Sequence, residues 1–136
     1  MKSKIDPTYT NVPSTLKRYG IRPVKSRGQH FLINDAICQR IVRAADLSAD
    51  SVVLEIGAGT GALTRFLTTT AAQVVAIEID RKLVRLLNCE YESIDNLTIL
   101  NQNILDLDIT SLAELHQTKA FTIVSNLPYN ITGPVL

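Results

Sequence analysis

The sequence predicts an α/β fold, a parallel sheet with helices on both faces. Three observations predict it. Four short runs rich in β-branched and apolar residues, "SVVLEIG", "QVVAIEID", "LTIL" and "FTIVSN", have the length and composition of buried strands. Apolar residues at helical spacing lie in the stretches around the first two of these runs. No Asn-Gly or similar two-residue turn joins one run to the next, so the strands are joined by crossovers rather than hairpins. A Rossmann-like arrangement with strand order 3-2-1-4 follows, and ligands of such sheets collect at the carboxyl ends of the strands.

The elements can be justified in order. Residues 1–20, rich in Thr, Ser, Pro and Asn, read as a flexible basic leader without the apolar core of a secretory signal. Asn34 is a helix N-cap, followed by Ile37, Ile41, Ala44 and Ala45 at helical spacing. The first strand ends in glycine at "VVLEIGAGTGALT". Leu63, Phe66, Leu67 and Ala71 give the next helix its apolar face, and Asp80 caps a helix carrying Leu83, Leu86 and Leu87. "LTIL" and "FTIVSN" are the third and fourth strands. Residues 21–136 are read as one cofactor-binding unit.

Composition excludes several classes. The 136 residues are 46% hydrophobic and 20% charged, which suits one globular domain and not a disordered chain. No apolar run is long enough to span a membrane. Cys38 and Cys89, without a C-x-x-C or a nearby histidine, read as two buried reduced thiols in a cytoplasmic protein, and no metal site is expected; His30 and His116 are equally isolated. The net charge of +1 conceals a basic head on an acidic body: residues 1–27 carry +6 and residues 28–136 carry −5. Such a head can meet a polyanion such as nucleic acid, or serve only as a solvated tail.

Gly57, Gly59 and Gly61 form G-x-G-x-G, and with Ala62 they also satisfy G-x-G-x-x-A, the dinucleotide fingerprint. Glu78, at the end of the second strand, is placed to accept from ribose hydroxyls, which NAD and S-adenosylmethionine share. Glu55 favours the second ligand. A carboxylate in a buried strand is costly without a counterpart, and it would repel a pyrophosphate while suiting a sulfonium and its ammonium group. After the fourth strand, "SNLPYN" offers an Asn126 oxygen, an extended Leu127 imposed by Pro128, and the ring of Tyr129. Two acceptors and a flat ring suit a planar base with an exocyclic amine.

With "SRGQHFLIND", "VVLEIGAGTGALT", "VVAIEID" and "IVSNLPYNITGP" in this order, residues 22–136 resemble the ribosomal RNA adenine dimethyltransferases, nearest the small-subunit branch of the KsgA type. The resemblance implies a class I S-adenosylmethionine-dependent methyltransferase fold. It also implies transfer of two methyl groups to adenosine N6 in small-subunit ribosomal RNA, or in the pre-ribosomal small subunit, giving N6,N6-dimethyladenosine. On it, His30 and Leu32 would cover the cofactor, where many members have asparagine at the position of His30. Gly57, with Ala58, Gly59 and Gly61 in the same turn, would lie under the methionine part, and Glu78 would hold the ribose. Asn103 stands where the family usually places an aspartate against the adenine amine. Asn126, Leu127, Pro128 and Tyr129 would hold the target adenosine and favour a pyramidal N6, catalysing by alignment rather than by a general base.

Family members are longer, with further strands and a helical C-terminal domain, so the chain is expected to be an N-terminal portion, with little activity alone. Three rivals are a large-subunit enzyme of the macrolide-resistance type, a non-catalytic ribosome-assembly factor, and an NAD-dependent oxidoreductase. "NLPY" and Glu55 disfavour the last.

Overall fold

The computed structural model describes residues 18–20 and 34–125. Helix α1 (Asp35–Ala44) starts where the Asn34 side chain accepts from the Ala36 and Ile37 amides at 2.9 and 3.2 Å. Capping satisfies two donors that the first turn leaves without helical partners. Strand β1 (Val52–Ile56), helix α2 (Thr64–Thr70), strand β2 (Gln73–Glu78), helix α3 (Arg81–Glu90) and strand β3 (Leu97–Asn101) follow. Asp80 caps α3 as the sequence predicts, accepting from the Lys82 amide at 2.8 Å.

Between β3 and β4 (Thr122–Ser125) lie a single 3-10 turn (Ile104–Asp106) and helix α4 (Ile109–Leu115). The sequence reading did not identify this helix. Its signal was present in Asp108, which caps it by accepting from the Ser111 amide at 3.1 Å, and in Leu112, its buried residue. Seven residues with one buried side chain leave too little helical periodicity to detect.

All three strand pairings are parallel, in the order β3-β2-β1-β4. This is the predicted order, with the chain running outwards from β1 to β3 and then returning to the other side of β1. Side chains alternate across the sheet. On one face Val53, Val74 and Val124 pack against Cys38 of α1 and Phe66 and Leu67 of α2, and Ala76 packs against Leu83, Leu86 and Leu87 of α3. On the other face Leu54, Ile56, Val75 and Ile77 meet Leu112 of α4. Near-continuous apolar strands are what a sheet covered on both faces requires.

Helices α1 and α2 are joined by an ion pair between the half-buried Asp35 and the buried Arg65, and the Arg65 guanidinium sits 5.0 Å from the centre of the Phe66 ring. The expected pair of buried thiols is corrected in one member. Cys38 is buried, whereas Cys89 is exposed. Leu83, Leu86 and Leu87 define the inward stripe of α3, and Cys89 lies off that stripe, on the solvent side. Among the described residues no helix is long and apolar enough to cross a membrane.

Replacing Asn34 by Ala should lower stability by about 1 kcal/mol, because both first-turn amides lose their acceptor. Urea unfolding would measure this, and an unchanged midpoint would show that the cap contributes nothing to stability.

Candidate functional site

The carboxyl ends of β1, β2 and β3 converge on one rim. Ile56 is in register with Ile77, and Glu78 with Asn101. On the other side of β1, Ile56 pairs with Ser125, so β4 reaches the same rim at the point where the strand order reverses. That reversal opens the crevice in which open α/β sheets bind ligands.

The turn after β1 adopts the left-handed conformations that glycine permits, with φ of +74° at Gly57, +60° at Gly59 and +84° at Gly61. Four of its amides are engaged within the protein. Gly57 and Ala58 both donate to the Ile77 carbonyl, at 2.9 and 3.2 Å, and Gly61 donates to the Ala58 carbonyl at 2.9 Å. Gly59 donates to Glu78 Oε1 at 2.9 Å. The Ala58 side chain packs into the core beside Leu83 and Tyr91, so this residue offers the rim its backbone only. The Gly61 carbonyl accepts from the Tyr91 hydroxyl at 3.0 Å.

Two carboxyl groups stand behind this turn. Glu55 is only 2% exposed, and its Oε2 accepts from the Thr64 hydroxyl at 2.5 Å. Burial pushes its pKa up from 4.5 to about 8; the Thr64 hydrogen bond opposes the rise and the nearby Glu78 charge adds to it. Glu78, 6% exposed, accepts from Gly59 with one oxygen and from the Asp80 amide with the other, at 2.9 Å each. Burial raises its pKa too, against the pull of these amide donors.

Asn103 caps the 3-10 turn, its Oδ1 accepting from the Leu105 amide at 3.0 Å. Asn101, which the sequence reading passed over, donates through Nδ2 to the carbonyls of Glu78 and Ile79 at 3.0 and 3.1 Å. It thereby ties the end of β3 to the end of β2. Ile79 and Leu105 were also passed over, and both leave large apolar side chains exposed on these rim segments, by 57% and 50%. Exposed isoleucine immediately after the strand-end acid was the available signal. Of the predicted site residues, the structure brings Glu55, Gly57, Ala58, Gly59, Gly61 and Glu78 together at the end of β1 and β2, and places Asn103 two residues past β3. His30, Leu32, Asn126, Leu127, Pro128 and Tyr129 lie outside the described residues.

Residues 22–136 match the family model described as ribosomal RNA adenine dimethylase. The chain belongs to this family. Among curated relatives, the ribosomal RNA small subunit methyltransferase A of Macrococcus caseolyticus is 40% identical over 131 residues, covering 95% of this chain and 44% of that protein. Two solved structures agree with the dimethylase fold. The 23S rRNA methyltransferase ErmE superposes with a TM-score of 0.68 at 32% identity, covering 78% of this chain and 41% of that one. A dimethyladenosine transferase from Plasmodium falciparum superposes with a TM-score of 0.63 at 31% identity, covering 78% and 36%. The chain spans less than half the length of the curated relatives it matches. The family resemblance and the methyltransferase fold expected from the sequence are both borne out.

For the unliganded dimethylase chain, the raised pKa of Glu55 has a definite sign. The folded protein holds this proton up to about pH 8, while the unfolded chain releases it near 4.5, so stability falls as pH rises through that window. Glu55→Gln removes the titration. The variant should gain stability relative to the parent between about pH 5 and pH 8, the difference levelling off above the folded pKa. Urea unfolding at several pH values tests this, and a difference independent of pH would mean that Glu55 titrates normally.

Proposed function

We propose that this chain forms the cofactor-binding part of an enzyme that transfers methyl groups from S-adenosylmethionine to N6 of adenosines in small-subunit ribosomal RNA, in the cytoplasm, giving N6,N6-dimethyladenosine. One observation carries the choice of cofactor: the amides of Gly57, Ala58, Gly59 and Gly61 already have acceptors inside the protein, with two buried carboxyl groups behind them. A pyrophosphate needs free amides and a positive potential. Those four amides are not free for one, and the acidic backing of the turn suits a sulfonium and an α-ammonium group.

The described residues divide the ligand among them. The Glu78 carboxylate has more acceptor sites than the amides of Gly59, Ile79 and Asp80 occupy, so it can still receive a ribose hydroxyl. The exposed Ile79 and Leu105 side chains offer apolar surface for a flat adenine ring. Asn103 keeps one lone pair for the adenine amine while its other serves the Leu105 amide. When bound, S-adenosylmethionine supplies an electrophilic methyl group. Asn126 and the Leu127 carbonyl would accept from the target amine and aim its nitrogen, with Tyr129 stacked on the base. The names of the relatives and the order of the sequence motifs support ribosomal RNA as the substrate, and most of the relatives' names support the small subunit.

Calorimetric titration should give saturable binding of S-adenosylhomocysteine and no heat from NAD. The reverse result would overturn the methyltransferase reading. A second titration concerns Asn103. Aspartate at this position keeps the cap and strengthens the acceptor for the adenine amine, so Asn103→Asp should tighten S-adenosylhomocysteine binding by about 1 kcal/mol. Unchanged or weaker binding would place Asn103 away from the adenine.

A further inference from the structure

We propose that Tyr91 is a positioning residue for the cofactor turn, holding the segment Gly57–Gly61 in its binding shape from the side of α3; the proposal rests on the cofactor reading above. Tyr91 follows the last residue of α3 as its C-cap and is 8% exposed. Its hydroxyl is buried and donates to the Gly61 carbonyl at 3.0 Å. The same carbonyl accepts from the Arg65 amide at 3.1 Å, in the first turn of α2. One oxygen therefore links the glycine turn, the beginning of α2 and the end of α3.

The ring has a second effect. A Cβ added at Gly61 would lie 2.7 Å from Tyr91 Cε2 and 2.8 Å from Cζ and the hydroxyl oxygen. The tyrosine ring thus occupies the place that a side chain at position 61 would take. The third glycine of the motif is needed for the approach of this ring as well as for its φ of +84°. Ala58, near the start of the turn, belongs to the same core cluster as Tyr91.

The end of α3 is itself held from outside. Glu90 accepts from the Tyr19 hydroxyl at 3.0 Å and pairs with Arg18 at 3.2 Å, and Tyr19 packs against the cluster that contains Tyr91. Lys82, in the first turn of α3, donates to the Gly20 carbonyl at 3.4 Å. Two adjacent residues at one helix end therefore face opposite ways in function: Glu90 secures Arg18 and Tyr19, and Tyr91 secures the turn. Phenylalanine would fill the same space, so core packing alone does not require the hydroxyl. What the hydroxyl adds is the direction of the Gly61 carbonyl, and through it the placement of Gly59 against Glu78. Binding is sensitive to such placement because misplaced groups lose their contacts with the ligand.

The test uses Tyr91→Phe in the full chain, with three readouts: hydrogen exchange of the segment 57–62, affinity for S-adenosylhomocysteine, and the urea midpoint. Loss of one hydrogen bond predicts about fivefold faster exchange in the turn and about fivefold weaker binding. The urea midpoint should fall by no more than one buried hydrogen bond accounts for, and exchange in β2 and β3 should rise by no more than that fall predicts. Unchanged exchange in the turn overturns the proposal. So does a looser turn that binds the ligand as tightly as the parent does. A loss of stability with the affinity for S-adenosylhomocysteine unchanged would assign Tyr91 to global stability alone and equally overturn it. A parent protein that fails to bind S-adenosylhomocysteine would instead refute the cofactor reading, and the positioning role with it, whatever the turn does.

Discussion

The site depends on one carboxylate. Glu78 ends β2 and joins two chain segments: the Gly59 amide of the turn after β1 and the Asp80 amide that precedes α3. Each bond fixes one of its oxygens, so the side chain has little freedom left. The two amides also offset part of the cost of burying a charge, though burial still raises the pKa. Asn101 then holds the backbone on either side of this residue by donating to the Glu78 and Ile79 carbonyls. A rim built in this way is ordered before any ligand arrives, which lowers the entropy lost on binding.

The second carboxyl group behaves differently because its surroundings differ. Glu55 has the Thr64 hydroxyl as its donor and a second acid nearby, and it is more deeply buried than Glu78. Near neutral pH it therefore keeps its proton in the free protein, and the rim carries less negative charge than the sequence suggests. A bound cation would reverse that preference, since an opposite charge at close range favours the ionised form. The acid at position 55 is thus compatible with the fold in the empty state and with a cationic ligand in the filled one.

Residues 18–20 are joined to α3 at a definite place. An exposed pair such as Arg18–Glu90 adds little stability by itself. Tyr19 adds to it by burying its ring against α3 while its hydroxyl meets the same carboxylate. The polar tip and apolar body of tyrosine suit such a junction, where one end is wet and the other packed. Positive charge is in this way brought to the α3 side of the sheet, whose first turn follows directly from Glu78.

The sequence by itself determined the strands of the sheet and the acids and glycines of its rim, because each depends on local signals. Apolar runs of strand length, caps at Asn34 and Asp80, and the absence of hairpin turns are all readable within a few residues. Glu55, Glu78 and the three glycines were legible for the same reason: the end of a strand marks the rim. Tertiary structure decided what those residues touch. That Gly57 and Ala58 donate to Ile77, that Glu78 holds Gly59, and that Tyr91 fills the space at Gly61 involve partners 19 to 30 positions apart in the chain. The exposure of Cys89 and the placing of α4 against Leu54 and Ile77 were settled in the same way. Periodicity tells which side of an element is apolar, whereas contact between elements depends on how helices and strands pack in three dimensions.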